Sequence, residues 1–236
     1  MQQYSWWGAD NPPPHYLKTV KQLEKLGLYP KKAEAVIYLK KGKPVYLFNP
    51  RSADSVMLAE TFKAKHQYDR AIASSWARNL LTRDFLILDT ETTGLKKPEI
   101  CQIAITDNQG NPLVNTLVKP CKPIDKKAQA VHGISNSDVK NAPTFMEIYP
   151  EIVNLITCQE LVIYNKDFDI AVLNNCSPRP IIVRQFTDPM PYYAAWKGDW
   201  NYYRAEYKYP KLEGNHDAYG DCLQTLSVIK TMANNS

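Results

Sequence analysis

Asp89 and Glu91 stand two residues apart at the end of Phe85-Leu86-Ile87-Leu88, a fully apolar run of strand length. Side chains alternate along a strand, so these two carboxylates project from one face where a buried strand ends. Two carboxylates so close repel each other unless a cation lies between them. Neither thiolate nor clustered imidazole is nearby in the sequence, so the fitting cation is a hard divalent ion with oxygen ligands, Mg²⁺ or Mn²⁺. Two further acidic positions occur in settings as specific. Tyr164-Asn165-Lys166-Asp167-Phe168-Asp169 reads as a strand end leading into a helix, from which Asp169 points back toward the first strand. His216-Asp217-Ala218-Tyr219-Gly220-Asp221 leads into an amphipathic helix carrying Leu223, Leu226, Ile229 and Met232. A neutral loop imidazole suits the acceptance of a proton from an attacking water, which gives His216 a role beside the carboxylates. Any one of these settings alone is what an ordinary acidic loop or a surface histidine presents, and their joint occurrence is what gives them weight.

Holding these groups together requires a sheet. Besides the run ending at Asp89, strands are expected over 103–106, 113–118, 161–164 and 181–185, and helices over 145–156, 168–174 and 222–232. The first three strands follow each other closely and pair as an antiparallel meander, whereas the last two are separated by a helix and run parallel. The expected architecture is α/β, a mixed sheet flanked by helices. It is preceded by a small basic α+β domain over residues 1–83, with the second domain over 84–236.

The first region opens on an aromatic stretch ending in Pro12-Pro13-Pro14, which excludes a regular helix or central strand there. A short helix is expected over 16–26, a hairpin with strands over 35–39 and 44–48, and a long helix over 55–81. Residues 1–83 hold 14 Lys and Arg against 6 Asp and Glu, and residues 84–236 hold 15 against 18. An acidic region able to hold cations, joined to a basic one able to hold a polyanion, suits a nucleic-acid enzyme, although such charge also simply solvates a surface. Five scattered cysteines with no Cys-x-x-Cys spacing read as reduced residues. No leader-like N-terminus and no apolar run of about 18 residues is seen, so a cytoplasmic protein without a membrane segment is expected.

Asp-x-Glu followed by Thr-Thr-Gly, then Asn-x-x-Phe-Asp, then His-x-x-x-Gly-Asp, in this order, resembles the DEDDh exonuclease superfamily, which includes the proofreading subunit of bacterial replicative polymerases. Ala130-Val131-His132-Gly133-Ile134 is similar to that family's His-Gly-Ile segment. The resemblance covers about residues 84–232. It implies a ribonuclease H-like fold, with two divalent cations, Mg²⁺ or Mn²⁺, held by Asp89, Glu91, Asp169 and Asp221, and with His216 as general base. It also implies 3′–5′ hydrolysis to 5′-mononucleotides, with substrate contacts at Thr92, Gly94, Leu95, His132 and Asn165.

The chain departs from the family in having Tyr164 before the second-motif Asn, and in the short distance from Lys211-Leu212 to His216. The segment before it holds Tyr192, Tyr193, Trp196, Trp200, Tyr202, Tyr203, Tyr207 and Tyr209 among Lys197, Arg204 and Lys208. Such a mixture stacks unpaired bases in single-strand binders, and it equally packs a core corner. Lys40, Lys41 and Lys43 at the hairpin turn grip phosphates or keep an edge soluble. The leading expectation is a 3′–5′ exonuclease on single-stranded or frayed DNA, in repair or trimming. An exoribonuclease using the same residues is the alternative within enzymes, and a catalytically weak nucleic-acid-binding adaptor the alternative outside them. A protein partner docking on the first domain, through Trp6-Trp7 and the prolines, is a further expectation.

Overall fold

The computed structural model describes residues 1–5, 10–39, 42–214 and 216–234. Trp6, Trp7, Lys40 and Lys41, which the sequence offers as partner or phosphate contacts, lie outside the described residues. In chain order the first elements are β1 (Gln2–Tyr4), α1 (Val20–Glu24), β2 (Leu28–Pro30), β3 (Ala35–Tyr38), β4 (Pro44–Leu47), β5 (Val56–Leu58) and α2 (Ala59–Leu80). Next come β6 (Leu86–Thr92), β7 (Ile100–Asp107), β8 (Pro112–Leu117), α3 (Lys126–His132), α4 (Phe145–Ile156), β9 (Glu160–Val162), α5 (Lys166–Cys176) and β10 (Gln185–Thr187). The chain then forms α6 (Met190–Lys197), β11 (Trp200–Asn201), β12 (Glu206–Tyr207) and α7 (Ala218–Asn234).

The chain divides into two compact units, Met1–Ile72 with Ala194–Lys208, and Ala73–Tyr193 with Tyr209–Ser236. The division at 72/73 differs from the sequence boundary at 83/84, because α2 is one unbroken helix with no turn residue at which a pattern reading would cut it. The segment 194–208 also belongs with the first unit, which charge and motif order give no reason to expect.

In the first unit, β1 lies parallel to β3 at the edge of a sheet ordered β1-β3-β4, and β2 pairs antiparallel with β5. β3 and β4 pair antiparallel as the strands of the expected hairpin, while the expected helix over 16–26 shortens to α1. Thr19 and Gln22 form a capping box at its start, and Gly27 takes a left-handed φ of 66° just beyond its end. The long helix begins at Ala59 rather than Ser55, because Val56–Leu58 pairs with β2. The aromatic segment packs this unit. Trp200 is buried and donates from Nε1 to the Lys31 carbonyl at 2.9 Å, with its ring edge-on to Phe62 and Tyr207 at 5.5 and 5.1 Å. Tyr202 meets Phe48 edge-on at 5.8 Å, and the Tyr207 hydroxyl donates to Asp69 at 2.8 Å. Trp200 is therefore core, and the half-buried Tyr202 and Tyr207 pack within this unit and are not free rings of a base-stacking platform.

The second unit holds a five-stranded sheet ordered β10-β9-β6-β7-β8. β6, β7 and β8 form the expected antiparallel meander, and β9 and β10 run parallel to β6. Leu86 and Leu88 point into a core shared with Ile103, Ile105, Ile152, Ile156, Val172 and Leu173, which come from β7, α4 and α5. The opposite face of β6 is covered by α7, whose Cys222 thiol lies 3.7 Å from the carbonyls of Ile87 and Ala104. α4 is capped by Thr144 in a capping box with Glu147 and matches the expected span. The last strand falls at Gln185–Thr187 rather than 181–185. Ile181 instead donates its N–H to the Asn174 side chain, and Arg184 to the Gln159 carbonyl. Among the described residues no helix is long and apolar enough to cross a membrane.

Candidate active site

β6 is central, buried and apolar up to Leu88, and its last residues emerge from the core at the carboxyl end. Alternation puts Asp89 and Glu91 on the α7 face and Thr90 on the α5 face. The pairing of β6 with β7 slips between Glu91 and Thr92, where Cys101 is the extra residue, and such a bulge re-aims the chain leaving the strand. From α5, the buried Asp169 accepts a 2.6 Å hydrogen bond from Thr90 Oγ1, which brings it to the end of β6. Asp188 fixes the start of that helix, its carboxylate accepting from the N–H groups of Asn165, Lys166 and Met190 at 3.1, 3.3 and 2.9 Å. From α7 comes Asp221, one turn after Asp217. The ligand atoms of Glu91, His216 and Asp221 lie within 4.8 Å of one another.

These carboxylates carry the marks of crowded negative charge. Burial first, and then the charges of Asp169, Asp221, Glu91 and Asp217, hold the Asp89 carboxyl well above the usual carboxylate range. Burial and the charges of Asp221, Asp169 and Asp217 push Glu91 up to about 7. Burial raises Asp169 as well, against the opposing hydrogen bond from Thr90, and it raises Asp221 against the opposing charge of His216. Asp221 Oδ1 is buried with no hydrogen-bond partner among the described residues. A buried oxygen without a donor, among mutually repelling carboxylates and with no thiolate in the group, fits a hard divalent cation.

Beside the carboxylates a cavity of about 770 Å³ is lined by Glu91, Thr92, Gly94, Leu95, His132 and Phe168, and also by Lys96, Lys126 and Lys127. Leu95 is 86% exposed. Gly94 has φ 145°, and a Cβ there would lie 2.5 Å from Asp125 Oδ2, so only glycine fits where the chain folds onto the start of α3. His132 Nε2 is 3.2 Å from the Thr92 carbonyl, and its Nδ1 accepts from the Ile134 N–H at 3.1 Å. The second contact puts the ring proton on Nε2, so His132 donates to Thr92 and pins the cavity wall as a neutral ring; burial lowers its pKa in keeping with this. Asn165 is exposed at the N-cap of α5 in a left-handed conformation, and Phe168, three residues on, lines the cavity instead. Sequence reasoning missed Asp217, a fifth carboxylate acting on Asp89, Glu91 and Asp221; an Asp directly before a helical pattern is a capping signal that could have found it.

Residues 86–229 match the model of the RNase T family, whose description is exonuclease. The chain belongs to the RNase T exonuclease family. The uncharacterized exonuclease CP81 of Escherichia phage 186 is 34% identical over 185 residues, which is 69% of this chain and 95% of that protein. The DNA polymerase III subunit epsilon of Escherichia coli K12 is 34% identical over 101 residues, 38% of this chain and 41% of that subunit, so the chain spans about two fifths of it. E. coli exonuclease I in complex with a dA16 oligonucleotide shares the fold at 18% identity, with a TM-score of 0.50 over 63% of this chain and 41% of that one. Membership in the RNase T family bears out the resemblance drawn from the motifs and the expected ribonuclease H-like sheet, and makes the chain an enzyme, an exonuclease.

Proposed function

We propose that this RNase T family member is a 3′–5′ exonuclease that releases 5′-mononucleotides from single-stranded or frayed DNA ends. In this reading Asp89, Glu91, Asp169 and Asp221 hold two divalent cations, Mg²⁺ or Mn²⁺, and His216 is the general base. The observation that carries it is the grouping of the ligand atoms of Glu91, His216 and Asp221 within 4.8 Å of one another, with Asp89 on the same face of β6 as Glu91 and Asp169 hydrogen-bonded to Thr90 between them. The cations, when bound, supply a lowered pKa for the attacking water and neutralise charge on the leaving 3′ oxygen. His216 takes the proton of that water at an imidazole nitrogen. The Thr92–Leu95 backbone, fixed by Gly94 against Asp125 and by His132 beneath Thr92, receives the terminal nucleotide, and Leu95 offers it an apolar face. Asn165, exposed at the N-cap of α5, is the remaining substrate contact in this reading. DNA is favoured because the polymerase subunit and the oligonucleotide-bound exonuclease I are DNA enzymes by name or content. The first unit carries 15 Lys and Arg against 8 Asp and Glu and would add affinity for a polyanion. Five free cysteines support a reducing compartment, the cytoplasm.

The test is digestion of matched 3′- and 5′-labelled DNA and RNA oligonucleotides, single- and double-stranded, with Mg²⁺ or Mn²⁺, beside Asp89→Ala. Stepwise loss from the 3′ end of DNA, abolished by EDTA and in the variant, is expected. Shortening of RNA alone reassigns the substrate, shortening from the 5′ end overturns the polarity, and an intact ladder throughout moves the chain to a binding role.

A further inference from the structure

His216 sits between two backbone anchors, and a glutamine makes each of them. On the downstream side, Gln102 of β7 is the cross-strand partner of Glu91. Its side-chain amide makes two contacts with the start of α7. Nε2 donates to Asp217 Oδ1 at 3.1 Å, and Oε1 accepts from the Ala218 N–H at 3.2 Å. The other Asp217 oxygen accepts from the Gly220 N–H at 2.9 Å, and the Asp217 carbonyl accepts from the Asp221 N–H at 2.9 Å. Asp217 is thus held from β7 and from α7 at once. On the upstream side, Gln224 of α7 grips both backbone groups of Glu213. Its Oε1 accepts from the Glu213 N–H at 3.1 Å, and its Nε2 donates to the Glu213 carbonyl at 2.5 Å. Gly214 follows, and a Cβ there would collide with Asp221 Oδ1, so the chain passes close above a candidate ligand oxygen. His216 itself is exposed and has φ 49°, a left-handed conformation that a non-glycine residue rarely holds unless its neighbours impose it.

We infer that Gln102 and Gln224 are positioning residues that together set the His216 imidazole over the carboxylate cluster. An amide offers one donor and one acceptor on the same plane, so each glutamine engages its target in two directions and resists both sliding and twisting of the chain. The two contacts bracket His216 by three residues on one side and by one on the other. Gln102 also ties this placement to Glu91, its neighbour on the adjacent strand, so a common strand pair fixes both a proposed ligand and the approach to the proposed base. This inference rests on the reading of His216 as general base.

A double-mutant cycle tests it. Gln102→Ala and Gln224→Ala are each expected to lower kcat by about 10- to 100-fold, the penalty typical of a reacting group displaced by about an ångström, with KM for an oligonucleotide within about threefold of the parent. In a His216→Ala background, neither substitution should lower kcat further, because the group they act through is gone. Gln102→Glu alone sets two carboxylates against each other. Combined with Asp217→Asn, it reverses the hydrogen bond, keeps the acceptors for Ala218 and Gly220, and should raise kcat about tenfold over Gln102→Glu alone; this pair also serves if an alanine variant folds poorly. The same kcat loss with and without His216, a rise in KM alone, or a reversed pair no better than Gln102→Glu would each overturn the assignment. Full kcat in His216→Ala by itself would overturn the general-base reading, and this inference with it.

Discussion

Replacing Glu91 with glutamine should make the cation-free protein more stable while abolishing its activity. Glu91 is raised from its ordinary 4.5 to about 7 by burial and by Asp221, Asp169 and Asp217. A folded-state value above the unfolded one means that folding favours the protonated acid, so above pH 7 the fold is burdened by an unwelcome charge. A rise from 4.5 to about 7 corresponds to about 3 kcal/mol, and relaxation of this partly exposed side chain toward solvent reduces that to about 2 kcal/mol. Glu91→Gln removes the charge and leaves the volume, so the amide fits the site while offering a cation a far weaker ligand. At pH 8 in EDTA, the thermal transition of the unit carrying it should rise by about 4–8 °C. The gain should shrink as pH falls from about 7 toward 4.5 and vanish below about 4, where both states of the parent hold a neutral carboxyl. Saturating Mn²⁺ should raise the parent's midpoint more than the variant's, narrowing or inverting the gap. Differential scanning calorimetry across pH, with and without the cation, reads all three effects. A Glu91→Gln variant that is less stable than its parent in EDTA at pH 8, or a difference that does not depend on pH, would refute the argument from charge crowding.

Gly94→Ala should raise KM about tenfold or more with little change in cation dependence, since its Cβ would press on Asp125 in the cavity wall; steady-state kinetics on a short oligonucleotide checks it. Lys126→Ala with Lys127→Ala should weaken substrate binding at low salt and make log KM less dependent on log salt by about 0.7 for each phosphate no longer neutralised, measured between about 50 and 200 mM; an unchanged slope would exclude both lysines from the path of the strand. Residues 1–83 expressed alone should be largely unfolded by circular dichroism, because Trp200, Tyr202 and Tyr207 complete that core. In the full chain, Trp200→Ala should destabilise the first unit by about 3 kcal/mol or more, read from its denaturant midpoint.

The candidate site was legible because its residues sit at strand and helix ends, where type and spacing carry meaning. Asp89 and Glu91 announce themselves by breaking an apolar run, and Asp169 and Asp221 by opening helices. The meander and the parallel pair followed from connection lengths. Gln102 was not legible, because its importance depends on lying opposite Glu91, and cross-strand register is a property of two segments and not of one. Gln224 is in the same position, one amide on a helix whose target, Glu213, is set by a turn. The short strands of the first unit escaped detection because two or three residues show no period. The aromatic segment could be read as a stacking platform or as packing, and only tertiary context, the Lys31 carbonyl above Trp200 and Phe48 against Tyr202, separates the two.

The return of Ala194–Lys208 to the first unit has a bearing on how the chain is made. Strands near the start of the chain cannot complete their core when they leave the ribosome, since Trp200 and Tyr202 are encoded about 140 to 150 residues after the Phe62 and Phe48 they pack against. At about 5–20 residues per second, that delay is roughly 7 to 31 s, during which Phe48 lacks Tyr202 and Phe62, though stacked on Tyr29, lacks Trp200. The basic unit therefore finishes folding only after most of the catalytic sheet has been synthesised, and a ribosome stalled before codon 200 leaves an incomplete basic fragment and not a finished domain.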